Sequence, residues 1–112
     1  MTDFHYTTRD SWKAISSQTV WVFKAGQPPI PESHPFGAYF TTLPVGTPRL
    51  AKLLRLPTRK VECFLSFRDV GDLYPLRGGR GDFIFVSYTD YPVAEERQLA
   101  HGARRDFPGG EA

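Results

Sequence analysis

Apolar residues alternate with polar ones in several short stretches of this chain and fall at helical spacing in two others. Asp3 to Thr7 reads as a strand, followed by a helix over residues 9–16 with Thr8 as its N-cap and Trp12 and Ile15 facing inward. Residues 19–24 alternate and are rich in β-formers, so a second strand follows. Gly26, Pro28, Pro29, Pro31 and Pro35 make residues 25–36 an irregular surface loop, suited either to a lid or to a plain connection. Ala38 to Thr42 is the next strand. Thr47 and Pro48 then signal a helix from Pro48 to Leu56 that buries Leu50, Ala51, Leu53 and Leu54, exposes Arg49, Lys52 and Arg55, and ends at Pro57. Residues 61–67 and 82–88 read as strands, and the second, apolar on both faces, is expected at the centre of a sheet. Beyond Ala94 charges mix with Gly102, Gly109 and Gly110. Residues 1–95 are therefore expected to form the domain and residues 96–112 a partly disordered C-terminal tail.

Composition narrows the class. A chain of 112 residues supports one domain around one core, and the 40% hydrophobic and 14% aromatic content indicates a folded one. Ten prolines and ten glycines favour many short elements over long helices. Fourteen basic and twelve acidic residues give a net charge of +2, too even to point to nucleic acid or any other charged partner. Cys63 is the single cysteine, which excludes an internal disulfide, and its place in the run Val61, Cys63, Leu65, Phe67 marks a buried structural thiol, not a nucleophile. No zinc-ligand spacing is present. The N-terminal residues lack a basic region followed by an apolar stretch, and no apolar run approaches about 18 residues. Neither a signal peptide nor a membrane span is expected, which places the protein in the cytoplasm or on a non-classical delivery route.

Two short motifs carry candidate chemistry: His5-Tyr6-Thr7-Thr8, and, some thirty residues later, Gly37-Ala38-Tyr39-Phe40-Thr41-Thr42. Together with Asp82 at the head of the run Phe83-Ile84-Phe85-Val86, they resemble the signatures of the ADP-ribosyltransferase fold, in particular the small toxin domains with a His, Tyr and Asp triad. The resemblance spans roughly residues 4–90 and includes the order of elements. It implies that His5 hydrogen-bonds the 2′-hydroxyl of the adenosine ribose of NAD, and that the backbone of Tyr6, with Thr7 beside it, holds the nicotinamide carboxamide. Tyr39 would stack on the nicotinamide ring, with Gly37 leaving room for the ligand. Thr47, eight residues past Tyr39, stands where polymerase-type members place a Ser that bonds the carboxamide; a helix cap competes for that residue. Leu50 stands where those members have a second stacking Tyr, a departure that implies a one-sided nicotinamide pocket.

As nicotinamide leaves, an oxocarbenium-like ribose forms, and a carboxylate must stabilise it. The resemblance gives that role to Asp82, with Asp69, Asp72 and Asp90 as rivals near strand ends and an ordinary turn Asp as the bland alternative. Arg80, in the basic loop from Arg77, is a candidate to touch the diphosphate, with a plain solvated turn as the competing reading. The implied fold class is α+β: a compact, split two-sheet core with short helices and an NAD cleft. The implied activity is transfer of ADP-ribose from NAD, as substrate and without a metal, to an unidentified protein or nucleic-acid acceptor. A toxin of this kind would be a monomer with a cognate immunity protein as partner. Hydrolysis of NAD, a non-catalytic module binding NAD or ADP-ribose, and an RNA phosphotransferase relative are the other readings.

Overall fold

The computed structural model describes residues 1–26, 36–76 and 83–106. β1 (Thr2–Thr7) leads into α1 (Arg9–Ser16), then β2 (Trp21–Phe23), β3 (Ala38–Thr41), α2 (Leu50–Leu54), β4 (Cys63–Arg68), β5 (Tyr74–Pro75), β6 (Ile84–Ser87), β7 (Tyr91–Val93) and β8 (Gln98–Ala103). Short 3₁₀ turns occupy Thr58–Val61, Glu95–Arg97 and Arg104–Asp106. Six strands form one antiparallel sheet in the order β5-β6-β3-β1-β4-β8, and β2 pairs with β7 as a separate two-stranded sheet. The core is thus mostly sheet with few helices, in the α+β class and with two sheets.

Side-chain alternation divides the core between the two faces of the large sheet. On one face Phe40, Leu65 and Phe67 meet Trp21, Phe23, Tyr91 and Val93 of the small sheet, with Trp12 and Ile15 of α1 against the same cluster. Phe40 packs edge-on against both Phe23 and Phe67, centroids 5.3 Å apart in each pair. Each such ring stabilises the fold by about 1.5–3 kcal/mol through burial, and the edge-to-face geometry adds to that. On the opposite face Tyr6 and Phe64 pack with Leu50 of α2 and with Val61.

Local chemistry accounts for where the elements begin and end. The Thr8 hydroxyl accepts from the Ser11 amide at 3.3 Å and caps α1 as its sequence predicts. α2 departs from expectation. Thr47 is not its cap: its hydroxyl and amide both donate to the Pro44 carbonyl, at 2.7 and 3.0 Å, and close a turn. Arg49 follows in the left-handed region (φ 55°), so the helix starts only at Leu50, and Arg55 (φ 57°) ends it two residues before Pro57. With a single turn of helix, Leu50 is buried while Leu53 is 39% exposed, against the four buried positions expected.

Strand placement brings three further corrections. The strand expected over residues 19–24 is confined to Trp21–Phe23. β6 is not central, since among the described residues only two-residue β5 lies beyond it; the strand buried on both faces is β4, whose residues 63–67 are all buried. Residues 98–103, expected in a tail, instead form the edge strand β8 on β4, from Phe67↔Gln98 to Cys63↔Ala103. Arg104 anchors the end of that strand, its amide donating to the Glu62 carbonyl at 2.7 Å and its Nε to the Val45 carbonyl at 3.2 Å. Cys63 is fully buried and burial raises its thiol pKa, so the expected inert role fits. Among the described residues no helix is long and apolar enough to cross a membrane.

Asp3 is the anomaly of the core: it is 1% exposed and neither carboxylate oxygen has a hydrogen-bond partner among the described residues. Burial, reinforced by Asp69 and opposed by the N-terminal ammonium and Arg97, lifts its pKa from 3.8 to about 6. Between those two pH values the folded chain holds a proton that the unfolded chain has lost, so this group's contribution declines as pH rises through that window. Stability of the wild type relative to Asp3→Asn should therefore fall by up to about 3 kcal/mol between pH 4 and 7, and stay level above pH 7, in urea unfolding at a series of pH values.

Candidate functional site

β1 and β4 match over six residue pairs, Thr2↔Arg68 to Thr7↔Cys63, whereas β1 and β3 match only at Phe4↔Thr41. Beyond that pair the two central strands part. Continued in register, the ladder would set Tyr6 opposite Tyr39, with the Tyr39 carbonyl accepting from the Tyr6 amide. Instead the His5 ring reaches across, and its Nδ1 lies 2.9 Å from that carbonyl. A cleft of about 280 Å³ opens along the parting, just below the roughly 300–1,000 Å³ usual for small-molecule sites. His5, Tyr6, Thr7 and Thr8 line it from the β1 side, Gly37 to Thr41 from the β3 side, and Leu54, Arg55, Leu56 and Lys60 from the α2 region.

The tautomer of His5 follows from its partner. A carbonyl can only accept, so Nδ1 carries the proton and donates, and in the neutral ring Nε2 keeps its lone pair. The ring packs against Phe23 at 4.7 Å and Phe40 at 5.6 Å. That enclosure drives its pKa below the ordinary 6.5, and the bond to the Tyr39 carbonyl only partly offsets it. A neutral imidazole with an accepting Nε2 is suited to take a hydrogen bond from a ligand hydroxyl. It is not a fixed cation.

Tyr39 is half-buried, and burial with the nearby Tyr88 hydroxyl pushes its pKa up to about 12, so it stays a neutral phenol. Strand alternation sends its side chain to the face of Phe4 and Tyr6, opposite His5; the parting of the strands lets both residues border one cleft. Gly37 owes its identity to packing, since a Cβ there would meet Val86 Cγ2 at 2.5 Å and the Ser87 carbonyl oxygen at 2.8 Å. Room for a ligand is not what demands it. Gly37 also exchanges two 2.9 Å backbone bonds with Gly26, which pin the loop's ends at the cleft. The rest of the loop, residues 27–35, lies outside the described residues.

Thr47 does not border the cleft, because the turn to Pro44 takes its hydroxyl. Leu50 is core, not a cleft residue. The rival carboxylates all serve local structure. Asp69 accepts from the Gly71 amide at 2.8 Å, Asp72 from the Tyr91 hydroxyl at 2.6 Å, and Asp90 from the Ala25 amide at 2.8 Å and Lys24 Nζ at 3.3 Å. Asp82 and Arg80 lie outside the described residues, although Ile84, two positions past Asp82, lines the cleft.

Sequence reasoning missed Ser11, Lys24, Arg55 and Lys60 at this site. Arg55 reads as the solvent face of a helix, and only the left-handed turn that ends α2 brings it to the cleft. No signal along the sequence marks these three cations as neighbours. Among the described residues no three His, Cys, Asp or Glu side chains group as metal ligands. Comparison with protein-family models, with curated proteins and with solved structures gives no match.

The tautomer is directly measurable. In long-range nitrogen–proton NMR spectra His5 should show a protonated Nδ1 and an unprotonated Nε2 at pH 7, and should titrate only below pH 6.5. A ring already cationic at pH 7, or protonated at Nε2 alone, would contradict the Tyr39 hydrogen bond as drawn.

Proposed function

We propose that this chain is an NAD-dependent ADP-ribosyltransferase of the toxin or effector type, with the cleft between β1 and β3 as its NAD site. The observation that carries the reading is the parting of the two central strands, which gathers His5, Tyr6, Thr7, Gly37 and Tyr39 around one opening. His5 Nε2 is the acceptor for a ribose hydroxyl. The main chain of Tyr6, displaced from the β3 ladder by the His5 ring, serves the carboxamide, and the neutral Tyr39 ring packs on nicotinamide.

In the proposed reaction the bond between nicotinamide nitrogen and ribose C1′ breaks, its electron pair leaves with nicotinamide, and positive charge develops on the ribose. Asp82 supplies the compensating carboxylate. An acceptor nucleophile on a protein or nucleic acid then bonds to C1′ and gives up its proton; water in its place yields free ADP-ribose. The acceptor is a macromolecule in the leading form of the proposal, and no metal takes part.

Incubation of the purified chain with NAD, reading free nicotinamide, free ADP-ribose and label retained on protein, tests this. Nicotinamide should be released. Asp82→Asn should slow that release by about two orders of magnitude or more with NAD affinity little changed, because its interaction is made mainly in the transition state. Tyr39→Ala should weaken NAD use more than Tyr39→Phe, since stacking is the ring's role. Unlabelled protein with free ADP-ribose would make the activity a hydrolase. NAD binding with no nicotinamide released would leave a binding module.

A further inference from the structure

We infer that Arg55 and Lys60 form an anion-binding end of the cleft, which recognises the diphosphate of a nucleotide ligand. The inference rests on the NAD reading for the identity of the ligand, and on the composition of the cleft for its charge. Three cations, Lys24, Arg55 and Lys60, line the cleft, and no carboxylate does so among the described residues. Lys24 is paired with Asp90 at 3.3 Å. The side chains of Arg55 and Lys60 have no hydrogen-bond or ion-pair partner among the described residues, so two uncompensated cations line the opening. An anion seated against them would neutralise both charges, and a guanidinium together with an ammonium matches the oxygens of a diphosphate.

The backbone supplies a control. Arg55 sits at the C-terminal end of α2 with φ 57° and ψ 43°, a position where glycine is the usual residue because a Cβ costs about 1–2 kcal/mol there. Arg49 adopts the same left-handed conformation at the other end of the same helix (φ 55°) but does not line the cleft. It therefore provides a matched control, with the same residue type, the same charge and the same backbone geometry on the same helix.

The test uses Arg55→Gly, Lys60→Ala and Arg49→Gly in the full chain, with calorimetric binding of NAD, ADP-ribose, ADP and inorganic pyrophosphate, and with thermal unfolding of each variant. Glycine suits both arginine positions, so Arg55→Gly and Arg49→Gly should unfold at or above the wild-type temperature. Arg55→Gly and Lys60→Ala should each weaken ADP-ribose binding about 10-fold or more, the scale of a charged hydrogen bond, while Arg49→Gly leaves it unchanged. If NAD and ADP-ribose bind all four proteins equally, the anion end is overturned while the NAD reading stands. If ADP or pyrophosphate binds in an Arg55-dependent way but NAD does not bind, the anion end stands and the NAD reading fails. Equal weakening by Arg55→Gly and Arg49→Gly would reduce the effect to net charge, and failure of every diphosphate compound to bind the wild type would overturn the inference outright.

Discussion

A single hydrogen bond decides how the middle of this sheet is built. β1 and β3 are neighbours with compatible hydrophobic patterns, and nothing in their side chains forbids a full ladder. The His5 imidazole takes the Tyr39 carbonyl that the Tyr6 amide would otherwise bond. The donor is thus a side chain instead of the main chain, and the pairing of β1 with β3 stops at Phe4↔Thr41. Everything that makes the cleft follows from this substitution: its position between central strands, the tautomer of His5, and the access of residues from both faces of the sheet to one opening.

Such a parting is affordable only because both strands are secured elsewhere. β1 is matched along its whole length to β4, and β3 over four pairs to β6. The aromatic cluster of Phe23, Phe40 and Phe67 spans the gap on one face and holds the two halves together with contacts that need no backbone pairing. On the other face Tyr6 reaches past the parting to bond the Leu43 carbonyl at 2.7 Å, and burial holds its phenol far above the ordinary tyrosine pKa, so that it remains a donor. The cleft is a local loss of sheet hydrogen bonds offset by packing on both sides.

Features set by short-range chemistry were legible in the sequence. Thr8 as a cap, Trp12 and Ile15 as the inward face of α1, the buried Cys63 strand, and the strand that begins at Ala38 all follow from residue types at fixed spacing. Features set by tertiary contact were not. β8 reads as tail because an edge strand needs only one apolar side, and Gln98, His101 and Gly102 carry no strand signal without β4 beside them. α2 reads too long because Thr47-Pro48 is a helix-start signal that the turn to Pro44 overrides, and left-handed arginines leave no trace in composition. The strand run from Asp82 reads as central on its apolar residues alone, yet position in a sheet depends on how many partners the remaining chain supplies, and β5 supplies two residues. Arg55 and Lys60 lie five positions apart and meet the cleft through a turn that no periodicity encodes.

The clasp between Gly26 and Gly37 has a consequence for how this domain can vary. Two reciprocal backbone bonds close the loop at its base, beside the cleft but independent of what lies between them. The entropy of closing a loop grows only with the logarithm of its length, about 0.6 kcal/mol per doubling. Segments of different size can thus be carried on the same clasp with little effect on the strands that frame the opening. The frame and the segment between the two glycines are separable, so related chains are free to change the length of that segment while keeping the His5 and Tyr39 geometry.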